Sequence, residues 1–103
     1  MTAAIRIEKQ ALGERGRYVA RIDGIEGEAE LVSTVLSEGL VRADHTEAPP
    51  AMRGTGAAAE LVEHMIADAR ASGFKIAPAC PYVLAQSRKH PEWRDVVAGS
   101  PGT

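Results

Sequence analysis

Three short stretches of this chain carry residue types that can do chemistry: "MRGTGAAAELV" at 52–62, "HTE" at 45–47 and "ACP" at 79–81. In the first, Gly54 and Gly56 admit backbone conformations that side chains resist, and they let a ligand approach the main chain. An amphipathic pattern follows at once, so the first amides of a helix stand there without intrahelical acceptors, at the positive end of its dipole. Such a place is ready for an anion. In the third stretch, Cys80 is the single cysteine of the chain and precedes Pro81, which suits the first turn of a helix. A helix start stabilises a thiolate and can make the sulfur reactive. The ordinary fate of a lone cysteine is nevertheless that of a small buried hydrophobe. The second stretch sets two titratable side chains, His45 and Glu47, two residues apart.

Other readings of these residues fall short. A nucleotide-triphosphate loop needs Lys-Ser/Thr after its last glycine, and here Ala57-Ala58 follow Gly56. Gly54-x-Gly56-x-x-Ala59 fits the dinucleotide fingerprint in form. That fingerprint also needs a buried strand leading into the first glycine and an acid about twenty residues on. Here "EAPPAM" precedes the loop, and the following strand ends in Pro78, Ala79 and Cys80. His45-x-Glu47 with Cys80 has part of the zinc-deaminase signature, which requires a second cysteine. His64 falls in mid-helix and His90 precedes a proline, so no metal site is expected. Taken alone, the glycine loop could equally be a flexible entry into a helix.

The elements that must position these residues can be read from the pattern. "AAIRIE" at 3–8 alternates as a first strand, and "GERG" at 13–16 reads as a turn. "RYVARID" puts Tyr18, Ala20 and Ile22 on one face and Arg17, Arg21 and Asp23 on the other. After "GIEG", a third strand covers "EAELVSTVLS" and a fourth runs from the turn at Gly39 to about Glu47. Short connections make these an antiparallel meander, and Pro49 and Pro50 end the fourth strand. Ala58, Leu61, Val62, Met65, Ile66 and Ala69 fall at helical spacing, with Gly73 as a stop. "FKIAPA" is a fifth strand, "CPYVLAQSRKH" a short second helix, "EWRDVV" a terminal strand or segment, and "AGSPGT" a frayed tail. The expected class is α+β, a single domain over 1–103 with its core at about 5–98 and the tail at 99–103.

Composition narrows the function classes. With 103 residues, 45% hydrophobic and 25% charged, the chain is an ordinary globular domain rather than a disordered one. Twelve Lys and Arg against 14 Asp and Glu give a net charge of -2, which argues against a nucleic-acid or anionic-membrane surface. The absence of an apolar span or signal-peptide core, and the single cysteine, make the cytoplasm the expected location.

The run "EAPPAMRGTGAAAELV" resembles the acetyl-coenzyme-A loop of the GNAT acetyltransferase superfamily. The pattern there is Arg/Gln-x-x-Gly-x-Gly/Ala, met by Arg53, Gly56 and Ala58 with a strand and a proline just before. "HTEAPPAMRGTGAAAELV", "ARASGFKIAPACPYV" and "RKHPEW", in that order, look like a small single-domain GNAT-like family over roughly residues 5–98. The resemblance implies a GNAT-like fold and an N-acetyltransferase that moves an acetyl group from acetyl-coenzyme A to an amine. It implies that the amides of about Gly54, Thr55, Gly56, Ala57 and Ala58 cradle the pyrophosphate. The fourth and fifth strands would splay and admit the pantetheine arm, lined by Thr46, Glu47 and Ala48 on one side and Ile76 to Ala79 on the other.

Cys80 would then lie where the acetyl thioester ends, as nucleophile or as proton donor to the leaving thiolate. His45 or Glu47 would be the base, directly or through water. Arg88 and Lys89 are candidates for coenzyme phosphates, set against the usual reading of such a pair as a solvated helix face. Members of the small family often carry an aromatic where Gln86 stands, and Gln86 cannot donate a proton as a tyrosine does; the nearest family role of Tyr82 is packing. Larger superfamily members have helices where "KQALGERG" is only a turn, so the acceptor cleft would be open. An open cleft suits a protein tail, a polyamine or a site that a partner protein completes. It also keeps alive a coenzyme-A-binding module with little or no transferase activity that acts through a partner, and a purely structural domain.

Overall fold

The computed structural model describes residues 4–98, and the tail expected at 99–103 lies outside the described residues. Strands β1 (Ile5–Leu12) and β2 (Arg15–Ile22) form a hairpin across Gly13 and Glu14 alone. Gly13 has φ 62, the positive value that a two-residue hairpin turn asks of its first central position. β1 therefore extends to Leu12, well past the alternating residues that announce it. Strands β3 (Ala29–Ser37) and β4 (Leu40–Glu47) complete the antiparallel meander. Helix α1 (Ala57–Ser72) then crosses to β5 (Lys75–Pro78), which joins the sheet parallel to β4 in the order β1-β2-β3-β4-β5. A parallel neighbour needs such a crossover, and α1 supplies it.

Helix α2 (Pro81–Lys89) follows. The terminal strand or segment is a 3-10 turn at Pro91–Asp95, after which Val97 makes one isolated bridge to Ile76. Pro91 at the head of that turn fixes a helical φ, which favours a turn over a strand.

The core lies between one face of the sheet and α1. Tyr18, Ala20, Ile22, Ala29 and Leu31 meet Leu61, Val62, Met65, Ile66 and Ala69, all buried. α1 stops at Gly73, whose φ of 79 permits the left-handed cap that returns its N–H to the Ala69 carbonyl at 2.9 Å. A clamp fixes its far end: the Tyr18 hydroxyl and the Lys9 ammonium both donate to Asp68 at 2.6 Å. Burial, and then the hydrogen bond to Asp68, drive the Tyr18 phenol far above its ordinary pKa. The opposite face of the sheet is charged, with Arg17 bonded to Gln10, Glu28 and Glu30 and Arg21 to Glu8 and Glu28.

One irregularity matters for function. Ser33 stands opposite Ala43 and Val32 opposite His45, so Asp44 is an extra residue in β4. A bulge of this kind shifts by one the alternation between faces. Ahead of it Ala43 lies on the core face and Arg42 on the outer one. Past it Thr46, opposite the fully buried Leu31, takes the core face, while His45 and Glu47 take the outer face. The Asp44 carboxylate is tied down by Arg42 and by the Thr34 hydroxyl at 2.5 Å.

Candidate functional site

The site is built where two helices start beside the end of β4. A 3-10 turn at Pro50–Met52 carries the chain from β4 to the glycine loop. Gly54 has φ 79 and Gly56 φ 86, values that side-chain-bearing residues rarely adopt. A Cβ placed on either glycine would meet nothing within 4 Å, so the main chain here faces open space. That space is a cavity of about 240 Å³ walled by Ala48, Arg53, Gly54, Gly56, Ala58, Ala59 and Tyr82.

Beside the side chains of Arg53 and Tyr82, this wall offers main-chain N–H groups. The Thr55 amide is taken by the Met52 carbonyl at 3.2 Å, and the Ala57 amide leans on the Thr55 hydroxyl at 3.3 Å. The first helical bond runs from the Glu60 amide to the Gly56 carbonyl at 2.9 Å. The amides of Gly54, Gly56, Ala58 and Ala59 therefore have no protein acceptor among the described residues. The Ala59 amide joins the set that the sequence suggested, and those of Thr55 and Ala57 leave it. The rule that a helix begins with four unpaired amides would have pointed to Ala59. Ala57 itself is buried in the core, and Ala58, read from its spacing as a core position, lines the cavity instead.

β4 and β5 pair from Leu40 and Lys75 as far as Ala43 and Pro78, and then part. Pro78 has no N–H to offer a neighbouring strand. The Ala79 amide turns back onto the Ala77 carbonyl at 3.0 Å, and the Cys80 amide makes the last link to β4, donating to the Ala43 carbonyl at 2.8 Å. From Asp44 to Glu47, β4 continues without β5 beside it. The expectation that Ile76 and Ala77 line the gap is corrected by this register. Both are paired within the sheet, Ile76 is fully buried, and Ala79 and Cys80 stand at the point of parting.

Cys80 is buried, 3% exposed, at the N-cap of α2 with Pro81 in the first turn. Among the described residues its sulfur has one side-chain partner, the Thr46 hydroxyl at 3.3 Å. The sheet separates this pair from His45 and Glu47, which lie on the outer face with side chains 58% and 69% exposed and 3.4 Å between His45 Nε2 and Glu47 Oε2. Tyr82, half-buried on the first turn of α2, reaches the cavity beside the glycine loop, a position its spacing from Cys80 did not reveal. Burial and then the charge of Cys80 raise its phenol pKa. Gln86 is partly buried in the same helix.

The cations divide by place. Arg6, Arg17, Arg21, Arg42 and Arg70 all hold carboxylates. Arg53 on the loop and Arg88 and Lys89 in the last turn of α2 have no such partner among the described residues and are exposed. Arg53 also borders a second cavity of about 460 Å³, shared with Glu28, Glu30, Glu47, Ala48 and Pro49. His64 and His90 stand apart from the site. The ring of His64 meets the edge of Tyr18, and His90 stacks on Trp93 with Nδ1 2.9 Å from Glu92.

A mixed sheet that parts between its fourth and fifth strands, beside a helix opened by glycines, defines an α+β domain. A family model described as GCN5-related N-acetyl-transferase matches residues 17–96, and the chain belongs to that family. None of the curated proteins compared with it matches. No helix among the described residues is long and apolar enough to cross a membrane.

Proposed function

We propose that this chain is an acetyl-coenzyme-A-dependent N-acetyltransferase that acts on an amine. The observation that carries the reading is the row of acceptorless amides at Gly54, Gly56, Ala58 and Ala59 facing a cavity next to the parted strands. Backbone N–H groups aimed outward at a helix start bind phosphate oxygens without any charged side chain. These residues fit a diphosphate, and Arg53 lies close enough to add charge at the rim. Thr46, Ala48 and the unpaired stretch of β4 are suited to hold the amides of a pantetheine arm, and Arg88 and Lys89 to meet a further phosphate. Bound there, acetyl-coenzyme A supplies an activated thioester.

The chain's own groups divide the remaining work by face. His45, with Glu47 beside it, is placed to take a proton from an ammonium arriving on the outer face of the sheet. Cys80 is placed to give a proton to the departing thiolate from the core face. On this reading the gap past Ala43, where β4 runs on without β5, is the place where groups of both faces meet one reacting centre. The charge balance and exposure of the outer face leave room for a small amine, a protein tail or a partner that completes the acceptor site.

Calorimetry with acetyl-coenzyme A and coenzyme A, followed by an amine screen read as release of free thiol, tests the reading. Saturable one-to-one binding and acceptor-dependent thiol release are expected. Absence of binding to either form would overturn it.

A further inference from the structure

We infer that Thr46 is the positioning residue for the Cys80 sulfur, a hydroxyl that accepts from the thiol and donates to the thiolate. The inference rests on the role proposed above for Cys80.

Two independent features bring the two groups together. The extra residue at Asp44 turns Thr46 onto the core face, where strict alternation from Ala43 would have turned it outward. The backbone bond from the Cys80 amide to the Ala43 carbonyl fixes the cysteine against β4 at 2.8 Å. The side chains then meet at 3.3 Å, and among the described residues neither has another side-chain hydrogen bond. Val83, Ile76 and Ala43 are buried in the same hydrophobic cluster as Cys80, and Tyr82 is the titratable neighbour on α2. His45 and Glu47, the titratable groups nearest along β4, lie on the other face of the sheet.

A sulfur in such a place needs a partner that suits both of its protonation states. A hydroxyl has one donor and two acceptor positions and rotates freely, so it can serve both. When Cys80 gives its proton to the departing coenzyme thiolate, the Thr46 O–H turns its hydrogen onto the cysteine sulfur. The proton shed by the acceptor nitrogen as the amide forms then restores the thiol. A hydrogen bond to a charged acceptor is about twice as strong as one between neutral groups, so the interaction tightens when the charge appears.

The test compares Thr46→Val and Thr46→Ser with the parent, reading both turnover and the pH profile of Cys80 alkylation by iodoacetamide, followed by intact mass. Thr46→Val should shift the alkylation profile to higher pH, slow labelling at pH 7.5 by roughly fivefold, and lower kcat more than it raises KM. Thr46→Ser keeps the hydroxyl and should restore both. Unchanged alkylation profiles in the two variants would overturn the inference. So would a change in the limiting rate at high pH alone, which reports access to the sulfur. A Thr46→Val protein that does not fold leaves Thr46→Ser to decide, since a hydroxyl role predicts near-parental values there and a methyl-packing role predicts loss. Cys80→Ser separates the two claims: full turnover in that variant removes the role of Cys80, while its loss with unshifted alkylation in Thr46→Val removes only that of Thr46.

Discussion

The two helices of this domain begin in opposite ways. α1 starts at Gly56, exposed and left-handed, with acceptorless amides turned into a cavity. α2 starts at Cys80, buried and extended, and its first turn opens on Pro81, which has no N–H. Both starts leave amides without a protein acceptor among the described residues, but α1 presents them through exposed glycines beside a cavity. At α2 the N-cap residue is Cys80, its sulfur bonded to the Thr46 hydroxyl and its amide to the Ala43 carbonyl. The difference teaches that a helix start becomes an anion site when glycines clear its approach. Where a side chain is buried across it, as Cys80 is, the approach is closed instead.

The largest expected effect separates the two starts. Cys80→Ser is nearly isosteric and should lower turnover about a hundredfold or more, the scale of a lost acid in general acid catalysis. Coenzyme affinity should hardly change, because the interaction is made in the reaction rather than in binding. Equal losses in affinity and in turnover would erase the division of labour between the helices. Gly56→Val should do the reverse. It forces a β-branched residue to φ 86 and projects its side chain into the cavity, weakening coenzyme binding by roughly 1–3 kcal/mol. Calorimetry beside a melting curve measures both terms, and a folded variant that binds like the parent would return the loop to a plain helix entry.

The meander, α1 and β5 were legible because each states its pattern locally. Tyr18, Ala20 and Ile22 alternate, Leu61, Val62, Met65 and Ile66 repeat at helical spacing, and Gly39 and Gly73 mark turns. The bulge was not legible. Nothing about Asp44 in sequence says that it lacks an opposite residue, since that depends on how β3 and β4 slip past each other. This slip decides that Thr46, rather than His45 or Glu47, shares a face with Cys80. The end of the β4–β5 pairing at Pro78 could be guessed from the missing donor, but its register with Ala43 could not. Which amides of the loop lack acceptors was visible only once the Thr55 amide and hydroxyl had found their partners.

A smaller effect concerns how α1 is held so that its start faces the cavity. Burial alone would raise the Asp68 carboxyl, but hydrogen bonds from Lys9 and Tyr18 outweigh it and hold the group below the ordinary range. A depressed carboxylate contributes stability that is present above its unfolded value, about 3.9, and is lost as pH falls through the folded value. Asp68→Asn should therefore melt lower at pH 7, by about 1–2 kcal/mol in stability, and the gap to the parent should close as pH falls through the acid range. Melting curves from pH 7 to 3 provide the check. A gap that stays constant would mean that the charge of Asp68 contributes nothing to the anchoring of α1.

The smallest effect sharpens the contrast between main chain and side chain at the α1 start. Arg53 is exposed, has no carboxylate partner among the described residues, and borders both cavities. A cation in that position acts through solvent, where an exposed pair is worth about 0.2–1 kcal/mol. Arg53→Ala should accordingly weaken coenzyme binding only a few-fold. Its share should fade with salt, because at 0.15 M the screening length is already about 8 Å and at 1 M about 3 Å. The loss caused by Gly56→Val comes from blocked amides at short range and should persist at high salt. Titrations of parent, Arg53→Ala and Gly56→Val at 0.05 and about 0.5 M salt distinguish the two. If the Arg53→Ala deficit survives high salt while that of Gly56→Val vanishes, the anion is held by the side chain. The acceptorless amides of Gly54, Gly56, Ala58 and Ala59 are then not what binds it.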